Sequence, residues 1–512
     1  MSSSKTSSST VRKAAEHLSR ADTATVEPPS KRPRSSHPIG IRPLGNLLID
    51  GGRNCRDAGL GMLKPLSDFA VCTVFEHLTC VELGRVARVS RSFYVFANHE
   101  ELWMQRVTDD FRDGFQYHKD WRCTWLTMTH RKGVNSVAPA SVRVPSFYSD
   151  WLFQRFHCAS VPLKRRWLCT ETIDRRDAAA LSVGDSIREY ETPNVPVIIR
   201  GVVDRWPAYG KWSREHLLKR AGHVKFTAGP VDMSLRDFFA YADANEDDNP
   251  LFIFDPKFAD RAPFMADDYT PPQYFAEDMF ALLPQRPNFR WLLIGNRRSG
   301  SKWHVDPNAT SAWNGVIRGA KKWFMLPPGH VPPGVSPSRG GAEVTQPVSL
   351  VEWLLNFYDA TQQADYGGVR PLEATVCAGE LLFIPRGWWH AVLNLEDDTF
   401  AITQNFVSPR GLRATAKFLR FKPEQVSGVS EGRHAGLWME LEEALRTHRP
   451  ELLADLSTGW QTDGTAAKAE SARVDVSVNG EGAVDGRGGG DGGSSGGVVS
   501  VHPKLLAMFG TS

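Results

Sequence analysis

The sequence predicts a mostly β protein with helical additions, because segments of different character follow one another along its 512 residues. The middle of the chain, about 180–410, consists of short apolar runs separated by Gly and Pro, a pattern typical of a sandwich or barrel. The stretches before it (60–135) and after it (411–460) place apolar residues at helical spacing. Polar segments of low complexity form both ends of the chain.

The composition excludes several classes of protein. A 41% hydrophobic fraction is ordinary for a globular chain. A net charge of +3 gives no reason to expect direct, sequence-specific binding of nucleic acid. Seven Cys, an odd number without a Cys-x-x-Cys pair, argue against a disulfide framework or a thiolate zinc site and favour a reducing compartment. No apolar run reaches the roughly 18 residues of a membrane span, so no membrane partner is expected.

The two ends are predicted to be unstructured. Residues 1–45 are rich in Ser, Thr, Pro, Lys and Arg, which predicts a disordered basic tail. Within this tail, residues 31–34 (KRPR) fit a nuclear-import signal as well as they fit a solvated basic segment. The expected location is therefore the nucleus, with the cytoplasm as a second site. Residues 461–512 contain a Gly-rich stretch and are expected to form a flexible tail.

The front zone, 60–135, is predicted to be a small helical domain. A helix start is expected after Pro65, at Ser67 and Asp68. The apolar residues that follow at helical spacing are Phe69, Val71, Cys72, Val74, Phe75 and Leu78. After a break at Thr79 and Cys80 comes a second run, formed by Leu83, Val86, Ala87, Val89, Phe93, Tyr94 and Phe96, and Trp103 closes the set.

The middle zone contains the expected strands and one inserted helix. The strand candidates are VPVIIRGV (195–202), PLFIFD (250–255), FRWLLIG (289–295), KKWFMLP (321–327), ELLFIP (380–385) and TFAITQNF (399–406). The segment SLRDFFAYADA, which begins at Ser234, is expected to be helical. After residue 410 the runs KFLRF and LWMELEEALRTH predict C-terminal helices that cap the β core.

A candidate metal site is formed by two short motifs. His304 and Asp306 follow a predicted strand and a Gly-Ser turn, and His390 lies 86 residues after His304. Two imidazoles and one carboxylate form the facial triad of non-haem Fe(II) oxygenases, which leaves open positions for a co-substrate and O2. A His-x-Asp triplet also arises by chance. A second one, at 118–120, lies in a polar stretch and is interpreted as surface.

Lys321 adds a reason to interpret His304 as a ligand rather than as a hydrogen-bonded barrel histidine. It lies 15 residues after Asp306, at the start of a predicted strand. The far carboxylate of 2-oxoglutarate needs a cation inside a dry barrel, and a buried lysine needs an anion. The alternative is a snorkelling lysine at a strand end. Lys322 should point to the opposite face of the strand.

Three neutral polar residues lie within or beside the apolar strands: Ser301, Asn314 and Thr403. Their side chains can donate or accept hydrogen bonds at the same co-substrate.

Two segments, 300–329 (GSKWHVDPNATSAWNGVIRGAKKWFMLPPG) and 379–406 (GELLFIPRGWWHAVLNLEDDTFAITQNF), resemble the JmjC oxygenases. The resemblance runs from about 180 to 410. Within the JmjC oxygenases, these residues are most similar to the branch that contains a lysyl hydroxylase, which is also called an arginine demethylase. It implies a double-stranded β-helix of the jelly-roll (cupin) type, with Fe(II) bound by His304, Asp306 and His390. It further implies 2-oxoglutarate bound by Lys321 and Thr403, with Asn314 and Ser301 nearby and Asn405 lining the pocket.

One position departs from that family. Phe252 stands where the animal lysyl hydroxylase has a Tyr near the co-substrate. The missing hydrogen bond, worth about 0.5–1.5 kcal/mol, should weaken co-substrate binding without abolishing it.

The front zone resembles an F-box, the helical module that docks on the Skp-type adaptor of cullin ubiquitin ligases. The marks lie within residues 63–103: Leu63, Pro65, Leu66, Leu83, Val86, Val89, Ser90, Phe93, Tyr94, Leu102 and Trp103. Together with RPLGNLL and NCRDAGLG in 42–61, the combination resembles a plant group of F-box/JmjC proteins assigned histone arginine demethylase activity. A Skp-type adaptor and a cullin ligase are therefore expected partners.

The resemblance implies an enzyme that couples oxidative decarboxylation of 2-oxoglutarate to insertion of one oxygen atom into a C–H bond. On an N-methyl group the product loses formaldehyde, which is demethylation, and on a lysine carbon the hydroxyl stays. The expected substrate is a histone or another basic protein tail. The alternative is a ligase substrate receptor that uses the barrel only for binding. The presence of all three ligands and Lys321 argues against a barrel without chemistry.

Overall fold

The computed structural model describes residues 36–129, 142–363, 369–430 and 432–456. Residues 1–35 of the predicted basic tail and all of the predicted tail 461–512 lie outside the described residues. Within the described part, no single helix is long and apolar enough to cross a bilayer. Only the bent pair Arg56–Leu63 and Asp68–Glu76, angled by 56°, meets the requirement when taken together.

The first part of the chain is helical from Gly45 to Leu168. Its helices are α1 (Gly45–Asp50), α2 (Arg56–Leu60), α3 (Asp68–Glu76), α4 (Cys80–Val86), α5 (Arg91–Ala97), α6 (Glu100–Asp110), α7 (Trp121–Thr129), α8 (Asp150–Ser160) and α9 (Arg165–Leu168). α3 begins where the sequence predicts, because Ser67 caps it by accepting a hydrogen bond from the Ala70 N–H at 3.2 Å.

The second predicted helical run is two helices rather than one. Ser90 has an extended backbone and its hydroxyl caps α5 by accepting from the Phe93 N–H at 3.1 Å. A capping residue with this backbone conformation ends one helix and starts the next, which the apolar spacing alone did not show. α4 in turn begins with a capping box between Thr79 and Glu82.

The β core consists of two sheets. The strands are β1 (Asp174–Asp177), β2 (Val197–Arg200), β3 (Lys225–Ala228), β4 (Val231–Ser234), β5 (Ile253–Asp255), β6 (Arg290–Gly295), β7 (Ser311–Arg318), β8 (Ala320–Leu326), β9 (Ser336–Pro337), β10 (Val344–Thr345), β11 (Leu372–Cys377), β12 (Glu380–Ile384), β13 (Trp389–Asn394) and β14 (Thr399–Phe406). The large sheet has the order β1-β2-β12-β7-β14-β6-β5-β3-β4, the small one β11-β8-β13, and β9 and β10 form a separate pair.

The large and small sheets face each other across an apolar interior. Side chains from both contribute to one buried cluster, among them Ala312 and Val316 of β7, Leu382 of β12, and Trp323 and Met325 of β8. Two facing sheets with this interleaved strand order, antiparallel except for the parallel pair β1–β2, form the jelly-roll double-stranded β-helix that the sequence resemblance implies. The predicted fold class is confirmed.

Helices surround this core. In the barrel region they are α10 (Val183–Ser186), α11 (Pro207–Lys211), α12 (Arg214–Ala221), α13 (Leu235–Ala244), α14 (Phe258–Arg261), α15 (Pro263–Asp267), α16 (Leu350–Asn356) and α17 (Tyr358–Thr361), followed by α18 (Leu412–Phe421) and α19 (Leu437–His448). α13 begins after Ser234, as expected. The last two helices pack against Met279, Phe280 and Val407 in a separate buried cluster, which agrees with the predicted C-terminal helices on the β core.

The front helices and the barrel share one hydrophobic core. A single buried cluster contains Phe96 and Phe147 from the front and Phe400 from β14. Polar contacts cross the same boundary: the Trp121 indole N–H donates to the Asp247 carboxylate at 2.9 Å. The front zone is therefore packed onto the barrel as part of one folded body.

Candidate metal centre

Two histidines that are far apart in sequence meet at the edge of β13. His304 and His390 form an isolated antiparallel bridge in which each backbone N–H donates to the other's carbonyl, at 3.0 and 2.9 Å. This pairing places the two imidazole centroids 4.1 Å apart. The bridge thus supplies two ring nitrogens on one side of the barrel interior.

Backbone carbonyls fix the orientation of both rings. Nδ1 of His304 lies 2.7 Å from the Lys302 carbonyl oxygen, and Nδ1 of His390 lies 3.0 Å from that of Trp388. With Nδ1 protonated and donating to these oxygens, Nε2 carries the lone pair in each ring. Metal-binding histidines are commonly oriented in this way.

Asp306 completes the group. One carboxylate oxygen lies 4.0 Å from Nε2 of His390, and the possible ligand atoms of His304, Asp306 and His390 all lie within 4.8 Å of one another. Among the described residues this is the one group of three or more such side chains with that spacing. The other carboxylate oxygen is buried and receives no hydrogen bond from the residues described, a costly state that a bound cation would relieve.

Burial shifts the pKa of all three side chains toward their neutral forms. It lowers the pKa of His304 to about 4, with the neighbouring His390 adding to the effect, and lowers the pKa of His390 to about 4. It raises the pKa of Asp306 to about 6, against the opposing effects of His304 and the Asn405 amide. At neutral pH both imidazoles are neutral and the carboxylate is ionised, which is the state that binds a divalent cation.

Lys321 faces the same interior as His390, because both side chains lie on one face of the small sheet. It is on β8, is 3% exposed, and has no ion pair or hydrogen bond among the described residues. Burial lowers the pKa of this ammonium to about 7. Lys322 points to the opposite face, as strand alternation predicts, where its ammonium lies 3.1 Å from the fully buried Glu373 carboxylate. The two adjacent lysines therefore have different surroundings: among the residues that the structure describes, Lys322 has an anionic partner and Lys321 has none.

Three of the four predicted neutral residues lie on the facing sheet. Thr403 of β14 and Asn314 of β7 are direct cross-strand partners. The Thr403 hydroxyl donates to the Trp313 carbonyl at 2.9 Å, and the Asn314 amide oxygen is buried without a partner. Asn405, two residues after Thr403 and on the same face, donates to the Thr310 hydroxyl at 2.9 Å. These side chains share the interior with Lys321.

The remaining predicted residues lie at the borders of this interior. The Ser301 carbonyl accepts from the Val392 N–H at 2.9 Å, so the segment before His304 runs along β13. The second His-x-Asp triplet has a structural role, since Asp120 accepts from the Cys123 N–H at 2.6 Å at the start of α7. It contributes nothing to the metal centre.

Sequence reasoning missed Asn394, the residue that stands directly opposite Lys321 on β13. A signal was present: Asn394 is four residues after His390, so strand alternation puts both on one face. Phe252 and Asn394 both lie beside Gly295. A Cβ at Gly295 would be 3.2 Å from the Phe252 Cβ and 2.6 Å from the Asn394 amide nitrogen.

The residues present fit a divalent iron and 2-oxoglutarate. The donor set is two imidazoles and one carboxylate, which suits Fe(II) and leaves several coordination positions open. An unpaired buried ammonium and an orphaned amide oxygen stand further along the same interior. They match a dicarboxylate that would bind the metal with one end and reach Lys321 with the other.

Comparison with known proteins agrees with this geometry. Residues 231–409 match the model of the Cupin-like domain, and residues 70–109 match the F-box-like model. "Arginine-specific demethylase JMJ22" of Arabidopsis thaliana is 44% identical over 441 residues, which cover 85% of this chain and 86% of that protein.

Two animal proteins extend the comparison. "Bifunctional arginine demethylase and lysyl-hydroxylase psr-1" of Caenorhabditis elegans is 33% identical over 55% of this chain and 70% of its own length. Human "2-oxoglutarate and iron-dependent oxygenase JMJD4" is 28% identical over 50% of this chain and 65% of its own length. With one relative 44% identical along most of both chains, this protein belongs to the JmjC family of iron- and 2-oxoglutarate-dependent oxygenases and has an F-box-like region in front of its barrel.

Proposed function

We propose that this chain demethylates or hydroxylates a protein side chain, with methylated arginine as the first candidate substrate. The observation that carries the proposal is the single interior that contains both the His304–Asp306–His390 group and the unpaired Lys321. The choice of arginine follows the relative named as an arginine-specific demethylase, which matches along most of its length. Lysyl hydroxylation is the alternative, since a second relative is named for both reactions.

In this proposal His304, Asp306 and His390 bind Fe(II). The carbonyls of Lys302 and Trp388 keep both rings turned with Nε2 toward the metal position. The Asn405 amide acts on the Asp306 carboxylate and favours its ionised form. When bound, the iron would supply the redox chemistry that couples loss of CO2 from 2-oxoglutarate to oxygen transfer onto a C–H bond.

Lys321 pairs with the far carboxylate of 2-oxoglutarate. The Thr403 and Asn314 side chains face it from the opposite sheet, Asn405 lies nearer the metal ligands, and Ser301 borders the pocket. The surrounding side chains of Val316, Val376 and Val392 are apolar and buried, so the carboxylate and the ammonium meet away from water. In such surroundings their attraction is strong and specific.

Turnover of 2-oxoglutarate tests the proposal. The wild type should release succinate in the presence of Fe(II) and air, and His304→Ala should not, because the ligand set loses one of its two imidazoles. His118→Ala is the matched control, since it changes the other His-x-Asp triplet and should retain activity. If the wild type binds neither Fe(II) nor 2-oxoglutarate, the proposal is wrong.

The substrate test uses methyl-arginine, methyl-lysine and unmodified lysine peptides with the sequences of histone tails and other basic proteins, the substrate class expected from the sequence. Loss of a methylene mass with release of formaldehyde identifies demethylation. Gain of one oxygen atom identifies hydroxylation.

A second function, docking on a Skp-type adaptor, is favoured by exposed apolar side chains in the F-box-like region. Met62 is 96% exposed, Val89 68% and Val81 58%. Exposed apolar patches commonly mark protein-binding sites, and Val81 and Val89 lie within the F-box-like match, with Met62 just before it. By contrast, Leu66 is partly buried and packs on the core, so its replacement would disturb the fold as well as a docking surface.

Met62→Glu combined with Val89→Glu should therefore abolish capture of a recombinant Skp-type adaptor and leave succinate release unchanged. Met439→Glu, at a 71% exposed apolar residue of α19, is the control that should leave capture intact. Adaptor capture that survives the double variant would exclude this surface. A cullin ligase and a nuclear location, with a cytoplasmic pool, stay predictions that capture from extracts and a fluorescent fusion would check.

A further inference from the structure

Lys321 has two cross-strand partners in the small sheet, and only one of them is polar. On β11 its partner is Val376, which is buried and apolar. On β13 its partner is Asn394, which is 4% exposed. Directly opposed residues of an antiparallel pair point to the same face with Cβ atoms about 4.5–5.5 Å apart. The Asn394 side chain therefore shares the interior with the Lys321 side chain.

The orientation of the Asn394 amide follows from its other contact. The Ser299 hydroxyl, fully buried, donates its single proton to the Asn296 carbonyl at 2.6 Å. The Ser299 oxygen then accepts from the Asn394 amide nitrogen at 3.0 Å. An amide flipped by half a turn would put two acceptors against each other, so the nitrogen side belongs at Ser299. The Asn394 amide oxygen is left buried, with no hydrogen-bond donor from the described part of the chain.

The rest of the structure keeps this chain of hydrogen bonds in place. Asn296 donates to the Ala242 carbonyl of α13 at 2.9 Å, which anchors the far end. Gly295 leaves the room that the chain needs, because a Cβ there would lie 2.4 Å from the Ser299 hydroxyl oxygen. No charged group of the described residues offsets the burial that lowers the Lys321 pKa. A buried acceptor without a donor and a buried ammonium without an acceptor therefore stand on neighbouring strands.

We propose that Asn394 is a positioning residue: rotation of the Lys321 side chain lets its ammonium donate to the Asn394 amide oxygen, a bond that this structure does not contain between the two described residues. That bond directs the ammonium toward the far carboxylate of the co-substrate. The inference rests on the proposed function, since it assigns a partner to the same Lys321. Ser299 acts through Asn394 by fixing which side of the amide faces the lysine. An ammonium has three N–H donors, so it binds the amide oxygen and the carboxylate at the same time.

The test is calorimetric titration of 2-oxoglutarate into the full chain under anaerobic Fe(II), for the wild type, Asn394→Leu and Asn394→Asp, at several pH values. Asn394→Leu should raise the Kd about 10-fold, the usual effect of losing a hydrogen bond to a charged group. Its affinity should also begin to fall at lower pH than in the wild type, because the ammonium has lost an acceptor that stabilises its charged form. Asn394→Asp should shift that fall to higher pH, since a carboxylate favours the ammonium, while competing with the co-substrate for it.

These opposite shifts separate a positioning role from a structural one, which would move the stability of both variants without reversing the pH dependence. 2-Oxobutyrate, which has the keto acid end but no far carboxylate, is the control ligand and should bind the wild type and Asn394→Leu equally. If the wild type binds 2-oxoglutarate and both variants match its Kd and pH profile, the role of Asn394 is overturned and the proposed function stands. If the wild type binds Fe(II) but not 2-oxoglutarate, both are overturned.

Discussion

The affinity for 2-oxoglutarate should depend on pH through Lys321. Its ammonium is buried, has no anion within the described part of the chain, and has a pKa lowered to about 7 by burial. A bound carboxylate would raise that pKa, so binding takes up a proton wherever the lysine is neutral. The interaction is fully present below pH 7 and is lost progressively as pH rises above 7, until the pKa of the complex is reached.

The magnitude follows from the fraction of protein that carries the ammonium. With a pKa of about 7, that fraction falls about 25-fold between roughly pH 6.5 and roughly pH 8.5, and the Kd should rise by the same factor. The metal ligands do not contribute in this window, because the pKa values of His304, Asp306 and His390 lie at about 6 or below. The slope therefore reports on the lysine alone.

Anaerobic titration calorimetry with iron-saturated protein measures this slope. Lys321→Arg keeps a cation at every pH and should remove the slope, and Lys321→Met should remove it while raising the Kd by about 100-fold or more. A wild-type Kd that stays constant across the window, or a Lys321→Met variant that keeps the slope, would refute the assignment of Lys321 to the far carboxylate.

Three further outcomes are expected. Fe(II) affinity, measured anaerobically against a chelator, should fall about tenfold per pH unit below pH 6 and stay level between about pH 7 and pH 8. The reason is that protons compete with the metal for the Asp306 carboxylate below its pKa of about 6. Level affinity down to about pH 5 would contradict this. Lys322→Met should lower the free energy of unfolding in urea by about 3–5 kcal/mol, because it leaves the buried Glu373 carboxylate without its ammonium partner. The Kd for 2-oxoglutarate should not change. Adding Glu373→Leu should restore most of the lost stability. Phe252→Tyr should lower the Kd for 2-oxoglutarate up to about tenfold if its ring reaches the co-substrate, and an unchanged Kd would show that it does not.

The sequence was informative where local chemistry and local spacing agree. The α3 start was predicted from Ser67, because a capping serine before an apolar helical run acts through residues only a few positions away. β8 and the opposite facing of Lys321 and Lys322 followed from strand alternation, which depends only on the backbone. β7 and β13 were not among the predicted strands, since Asn314 and His390 interrupt the apolar pattern there.

Much of the centre was also readable from residue types and motif spacing, because two imidazoles, one carboxylate and one isolated lysine have few uses in an apolar barrel. Only the folded chain showed how they meet. The bridge between His304 and His390 depends on strand pairing across 86 residues. The roles proposed for Asn394 and Ser299 depend on register and on the Ser299 hydroxyl proton being donated to Asn296.

By itself the sequence determined the fold class, the candidate metal-binding side chains and the candidate cation for a buried carboxylate. Within the described ranges, the tertiary structure decided which of the two lysines has an anionic partner, and that the amide oxygens of Asn314 and Asn394 are buried without a donor. The physical reason is that hydrogen bonds and ion pairs between strands are set by three-dimensional register, which no local pattern of residues encodes.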